Sequence, residues 1–412
     1  MKITGIIAEY NPFHNGHRYQ IQKARQITGA DYIIVVMSGN FTQRGTPALI
    51  DKYSRAKMAL MGGADLVLEL PVCFATGSAE YFASGAIALL NQLGCVDAIC
   101  FGSECGDIIP LKNVAQALVN ETDDYKKILK SKLKNGSTYP VARNAALAET
   151  MDGFIPYDMI LGFPNNILGI EYIKALIRQN SSIEPFTNQR IGSDYHSYRL
   201  AETFSSAISI RQSLFMKDDL ELVRPQLPSA TYQVMEDDFH KTFPVFDADF
   251  SSMLKFKLLL EREKGFTEYM DVTKAISDKL VRNTFKMQEF DEFCDLLKTK
   301  DVTYARISRC LSHILLDIYA EEVAQYMDSN IVFYARALGF NENAAPLSRA
   351  IKKNASIPLI TKTTSAPANL YPLGRKQFEH DVHAAHIYEC IAGTKYHAGM
   401  RDEYRRQMVK IQ

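Results

Sequence analysis

His14 and His17 lie three positions apart, with Asn15 and Gly16 between them. Two imidazoles on one tight turn can each offer a ring N–H to an anion, and phosphate is the anion such a pair fits. Gly16 lets the backbone approach a ligand closely. A helix from about Gly16 to Ile27 would aim its unpaired N–H groups and positive dipole end at the same point. Four residues of the form HxGH also arise by chance. The plain alternative is two histidines that cap a helix or fill a gap in a core, so the elements around them decide.

Three further groups have matching chemistry. Phe101-Gly102-Ser103-Glu104 falls at the end of an apolar run, where Gly102 would let main chain touch a base or ribose. The same glycine is also ordinary turn chemistry after a strand. Pro164-Asn165-Asn166 opens a helical pattern; Asn165 is a good N-cap, or a ligand contact. Ser205-Ser206-Ala207-Ile208-Ser209-Ile210-Arg211 begins another helix. There Ser206 offers a hydroxyl and Arg211 a planar fork for phosphate oxygens, or the serine simply caps and the arginine is solvated.

The elements needed to position these residues are legible. Ile3–Ala8 is an apolar run read as a strand, and Tyr32–Met37 is a continuous apolar run, the mark of a strand buried on both faces. Asp65–Leu70 is read as another buried strand stopped by Pro71, and Ala98–Phe101 as a further strand. Helical segments lie between them: the one after His17, Lys52–Met61 and Ala79–Leu93. Leu111–Thr150 reads as a mainly helical flank, and Asn165 starts an amphipathic helix carrying Ile167, Leu168, Ile170, Ile173 and Leu176. Ser182–Arg190 reads as a last strand. The alternation predicts an α/β fold, a Rossmann-like doubly wound parallel sheet, in which ligands sit outside the carboxyl ends of the strands. Beyond about Phe215 long helical patterns dominate (Phe250–Arg262, Val272–Leu297, Val302–Met327), with a short strand at Ile357–Ile360. We therefore expect two domains, 1–215 and a mostly α-helical 216–412.

Composition narrows the class. The chain has 412 residues, 47 % hydrophobic and 23 % charged, ordinary for a globular protein of more than one core. Lys+Arg and Asp+Glu both number 47, so no global field draws it to nucleic acid or membrane. No apolar run reaches the length of a membrane span. The amino terminus lacks a charged and then apolar leader, and the 7 cysteines suit free thiols in a reducing compartment. The expected location is the cytoplasm. Cys95, Cys100 and Cys105 do not have zinc spacing, and His380, His383 and His386 sweep around a helix rather than converge. We expect no bound metal from either set.

Longer segments carry a resemblance. His14–His17 with a late Ser-Arg element resembles the HIGH-type nucleotidyltransferase superfamily. Within it, Gly5-Ile-Ile-Ala-Glu-Tyr-Asn-Pro-Phe-His-Asn-Gly-His17, Met37-Ser-Gly-Asn-Phe-Thr-Gln-Arg-Gly45, Ala64-Asp-Leu-Val-Leu-Glu-Leu-Pro71 and Pro164-Asn-Asn-Ile-Leu-Gly-Ile-Glu-Tyr172 resemble the bacterial tRNA(Met) cytidine acetate ligase family. The likeness runs through both halves and is strongest before residue 215. It implies that acetate attacks the α-phosphorus of ATP to give acetyl-adenylate. The exocyclic amine of the wobble cytidine of elongator tRNA(Met) then takes the acetyl group. It also implies ATP contacts along Ile7, Ala8, Glu9, Tyr10, Asn11, Pro12, Phe13, His14, Asn15, Gly16, His17 and Gln20, and at Gly102, Asn165, Arg190, Ile191, Ser206 and Arg211. His14, His17 and Arg211 would be catalytic. One position departs: Ile208 stands where related enzymes often carry Thr.

Attack at phosphorus places charge on equatorial oxygens, so positioning and cationic stabilisation would do most of the work. ATP would arrive with Mg²⁺ held largely by its own phosphates. Asn40, Gln43 and Arg44, just past the second strand, are candidates to line an acetate pocket, or make turns only. Lys279, Arg282 and Lys286, with Arg306 and Arg309, are candidates for tRNA phosphates, or a solvated charged face. Two rival functions stand beside the ligase. One is a small-metabolite adenylyltransferase, which seldom needs so large a helical half. The other is a non-catalytic RNA-binding protein on a nucleotide fold, which need not keep His14, His17 and Arg211 together.

Overall fold

A computed structural model of the chain describes residues 1–150, 160–190 and 205–412. Its centre is an eight-stranded sheet of β1 (Ile3–Ala8), β2 (Tyr32–Ser38), β3 (Leu66–Leu70), β4 (Ala98–Ser103), β5 (Glu184–Gln189), β6 (Ala335–Asn341), β7 (Leu359–Ile360) and β8 (Val409–Ile411). The order is β5-β4-β1-β2-β3-β6-β7, with β8 also paired to β6. The first five strands are mutually parallel. β1 leads through α1 (Asn15–Thr28) to β2 on one side, while the chain later crosses back to lay β4 on the other. That reversal opens a crevice at the carboxyl ends of β1 and β4.

The central strand β2 is almost wholly apolar because both of its faces are covered. Ile33, Val35 and Met37 of β2 pack with α1 and α2 (Lys52–Met61). Ile34 and Val36 face the other way, into the core shared with helix Ala79–Gln92 and helix Pro164–Arg178. All five are 0 % exposed, which an alternating half-buried strand could not be.

The second half is mainly helical and also completes the sheet. β6 runs antiparallel to β3, pairing Leu66 with Phe340 and Glu69 with Arg336, so the sheet is mixed. β7 and β8 both pair in parallel with β6. The expected short strand at 357–360 is β7; β6 and β8 were not expected. The helical stretch 272–297 divides into helix Lys274–Asn283, a 3-10 turn Thr284–Lys286 and helix Phe290–Leu297. Likewise 302–327 divides into helix Tyr304–Leu315 and helix Ala320–Met327. Asp317, at φ 55, turns the chain between the latter two.

A buried ionic cluster locks the two halves together. Lys52 Nζ lies 2.6 Å from Glu69 Oε1 and 2.6 Å from Glu403 Oε1. Arg336 Nη1 is 3.1 Å from Glu69 Oε2, and its Nη2 also meets Glu403. Tyr53 Oη donates to the same Glu403 oxygen. All four charged side chains are nearly inaccessible, so each charge depends on the others.

Candidate active site at the carboxyl edge of the sheet

β1 ends at Ala8, and the chain turns through Tyr10 at φ 50 and a cis Asn11–Pro12 bond into α1. His14 is the N-cap of that helix. Its Nδ1 accepts the Gly16 N–H at 3.1 Å, and His17 Nδ1 accepts the His14 N–H at 3.3 Å. The two histidines thus form a reciprocal capping box. A Cβ on Gly16 would lie 3.0 Å from His14 Cε1, which explains the glycine. Their rings stack with centroids 3.6 Å apart, and Tyr10 lies against His17 at 4.7 Å.

Because each Nδ1 accepts, each neutral ring carries its proton on Nε2. Burial, then Arg190 and Arg211, push the His14 pKa down to about 3. Burial, then His14 and Arg190, hold His17 well below its ordinary value. The pair is a set of uncharged donors with two guanidiniums nearby. Capping and phosphate binding are therefore not alternatives here: the cap fixes the tautomer that leaves Nε2–H as the donor.

Arg211 reaches this turn from helix Ala207–Lys217, donating from Nη1 to the Asn11 carbonyl at 2.7 Å. Ser206 is that helix's N-cap, its Oγ accepting the Ser209 N–H at 3.2 Å. Its hydroxyl also lies 3.1 Å from Ser209 Oγ. On the other side, Gly102 in β4 lies under Arg190, whose Cγ would be 3.0 Å from an added Cβ. The Arg190 N–H donates to Ser103 O at 2.9 Å. Arg190 Nη1 is 3.5 Å from Asn165 Oδ1. Asn165 is not the N-cap expected: Phe163 takes that position, with Pro164 in the first turn. Glu104 closes this helix start from outside. It accepts from Asn165 Nδ2 at 2.6 Å and from the Asn166 N–H at 2.8 Å, while Asn166 Oδ1 accepts the Glu104 N–H at 2.9 Å. The dipole end is filled by a carboxylate, because a helix start left open would have unpaired donors. Ile191 lies outside the described residues.

The candidates after β2 have structural partners. Asn40 is buried and its Oδ1 accepts the Lys52 N–H at 2.8 Å. Gln43 donates its main-chain N–H to Glu9 Oε1 at 2.9 Å and its Nε2 to Gly77 O at 3.3 Å. Arg44 is exposed. Gly45 follows at φ 72, pressed against the backbone of Ser308 and Arg309, and both Ser308 and Ser312 hydroxyls donate to its carbonyl. This is how the helical half grips the rim loop.

The basic candidates do not form one face. Lys279 Nζ donates to Leu297 O at 2.5 Å, closing a helix end, and Lys286 lies beyond the helix, in the 3-10 turn. Arg282 and Lys286 are exposed. Arg309 is paired with Asp271 at 3.0 Å and is mostly covered, beside the partly buried Arg306. The three C-terminal histidines face three separate carboxylates, Glu322, Asp317 and Asp402. Among the described residues no group of three or more His, Cys, Asp or Glu could hold a metal ion.

Sequence reasoning missed Arg55. It is fully buried and ties the exits of β1 and β2, donating to Glu9 O at 2.6 Å, Ser38 O at 3.1 Å and Ile50 O at 2.9 Å, and also to Gly39 O. Its signal was present: an arginine among Ala56, Met58 and Ala59, on a helix whose faces are mostly apolar. Glu104 was visible only as a neighbour of Gly102.

A mainly parallel sheet with this turn at its switch point defines a nucleotide-binding α/β protein, and comparison agrees. Residues 1–403 match the model of the HIGH Nucleotidyl Transferase family, and the chain belongs to that family. A tRNA(Met) cytidine acetate ligase of Thermoanaerobacter sp. (strain X514) is 42 % identical over 412 residues, covering all of both chains. One from Clostridium perfringens is 39 % identical over 398 residues, 95 % of this chain and 96 % of its own. In structure, Thermotoga maritima TmcAL bound with alpha-thio ATP is similar at TM-score 0.90 and 32 % identity, covering 100 % of this chain and 99 % of that one. No described helix is long and apolar enough to cross a membrane.

Proposed function

We propose that this protein is a cytoplasmic, ATP-dependent tRNA(Met) cytidine acetate ligase that works through acetyl-adenylate. The observation that carries the reading is the stacked, neutral His14–His17 pair flanked by Arg190 and Arg211 at the crevice of the sheet. Similarity over full length to ligases of that name supports the substrates, and a neighbour that binds an ATP analogue supports ATP.

In this reading the phosphates of ATP lie over the β1 turn and the start of α1. An acetate oxygen attacks the α-phosphorus and pyrophosphate leaves. The neutral Nε2–H groups of His14 and His17 donate to oxygens on which charge grows, and the two guanidiniums hold the leaving group. The exocyclic amine of the wobble cytidine then attacks the acetyl carbonyl, the bond to AMP breaks, and acetylcytidine forms. His14, His17, Arg190 and Arg211 would face the phosphates as donors and would not themselves hold Mg²⁺; an ion carried on the ATP phosphates would neutralise those phosphates. Residues 1–215 form the ATP-binding unit and 216–412 the part that meets tRNA. Asn40, Gln43 and Arg44 border the acetate side.

The test is incubation with ATP, labelled acetate and total tRNA. Label entering tRNA as acetylcytidine, and its loss in His14→Ala and His17→Ala variants of native fold, is the expected result. Transfer of AMP to a small phosphate compound with no label in tRNA would support the adenylyltransferase instead.

A further inference from the structure

An open cleft lies at the carboxyl end of the Arg211 helix. It encloses about 480 Å³ between the end of helix Ala207–Lys217, the segment around Phe246 and the end of helix Pro372–Lys395. Phe215 lies one helical turn after Arg211, about 6 Å along the axis, and is 56 % exposed. Its ring meets Phe246 at right angles, with centroids 5.0 Å apart and planes at 81°. Lys395 Nζ sits 5.0 Å over the Phe246 ring. Tyr396 completes the wall, its hydroxyl donating to Pro244 O at 2.7 Å.

The polar rim of the cleft is internally balanced. Lys395 is paired with Asp249 at 2.8 Å and His240 with Asp218 at 2.8 Å. With each basic group matched by a carboxylate, the cleft has no excess positive charge to attract phosphate. Its remaining chemistry is an aromatic face beside carboxylate acceptors. That combination suits a flat, uncharged heterocycle bearing an amino group: the ring stacks and the amine donates to a carboxylate. Arg211, one turn before Phe215 on the same helix, bonds the histidine turn at the Asn11 carbonyl, so a ligand stacked on Phe215 lies about one helical turn from the proposed reacting centre.

We propose that this cleft binds an unpaired nucleobase of the RNA substrate, next to the nucleotide whose amine is acetylated, with Phe215 as the stacking platform. The inference rests on the ligase reading and adds the place where the anticodon loop is held. Stacking of one base on an aromatic side chain corresponds to about 5- to 150-fold in affinity.

The test is steady-state acetyl transfer by the full chain carrying Phe215→Ala or Phe215→Tyr, varying tRNA and ATP separately. The KM for tRNA should rise about tenfold or more in Phe215→Ala, with a much smaller change for ATP, and Phe215→Tyr should restore most of it. An unchanged KM for tRNA overturns the proposal. So does an equal rise for ATP, which would mean that the Arg211 helix had moved. Wild-type self-association abolished by Phe215→Ala in sedimentation would assign the cleft to a second copy and also overturn it. If the wild type places no acetate in tRNA, the ligase reading fails separately. Binding of a fluorescent anticodon stem-loop RNA, weakened by Phe215→Ala, then still supports the base site, and equal binding by both proteins overturns it.

Discussion

Arg211 Nη1 donates to the carbonyl of Asn11 at 2.7 Å, joining residues 200 positions apart in the chain. This bond places a fixed cation beside the turn that presents His14 and His17. Arg211→Lys keeps the charge but loses the planar fork that serves the Asn11 carbonyl and, in the proposed mechanism, a phosphate as well. We expect acetyl transfer to fall about 100-fold, in line with loss of one preorganised donor, with thermal stability little changed. Initial rates and a melting curve check both halves of the expectation.

His14 has its pKa depressed to about 3 by burial and by Arg190 and Arg211. The unfolded chain takes up this proton near pH 6.5, so unfolding binds a proton throughout the interval between the two values. Stability contributed by the neutral ring is present above about 6.5 and is lost as pH falls toward 3, by about 1.4 kcal/mol per pH unit. Denaturant titrations from pH 7 to 4.5 should show a shallower loss in His14→Asn than in the wild type.

Glu104 fills the start of helix Pro164–Arg178 and holds Asn165 for Arg190. Removing it in Glu104→Ala should cost about 1–2 kcal/mol, the range of a lost cap with its dipole partner. We also expect a raised KM for ATP, because Asn165 and Arg190 lose their common anchor. Urea unfolding and ATP-dependent rates measure the two effects separately.

Lys52 stands between Glu69 and Glu403 with almost no exposure. Lys52→Met leaves two buried carboxylates sharing Arg336 alone. Breaking a buried network from one side costs about 3–5 kcal/mol, so this variant should show a strongly lowered urea midpoint. A change under 1 kcal/mol would show that the cluster contributes little.

Arg282 and Lys286 are the exposed members of the basic set in helix Lys274–Asn283 and the turn after it. Replacing both with Glu should weaken tRNA binding and flatten its dependence on salt, since each phosphate contact adds about 0.7–0.9 to the slope. Filter binding at several salt concentrations measures this. An unchanged slope would remove these two residues from the RNA interface.

The strands β1 to β4 and the helices between them were readable because mainly apolar runs of this length are buried between two layers. The same logic did not reach β6, Ala-Arg-Ala-Leu-Gly-Phe-Asn, whose Arg336 looks like a surface residue. It is buried because Glu69 and Glu403 come to it from distant parts of the chain. Arg55 escaped for the same reason: its partners are main-chain carbonyls contributed by two strand ends. Asn165 lies two positions inside the N-cap because Pro164 favours the first helical position and sets the cap at Phe163.

By itself, the sequence determined the parallel strands of the first half and the place of the His14–His17 turn after the first of them, because local periodicity and spacing encode these directly. Tertiary structure alone decided how those residues are used. It set the histidine tautomers through the reciprocal cap, brought Arg211 and Arg190 to the turn, and filled one helix start with Glu104. It also returned strands from the second half to the sheet and shaped the cleft beside Phe215. These outcomes depend on partners far apart in the chain and on burial that changes the charge a side chain can keep, and neither is written in the local order of residues.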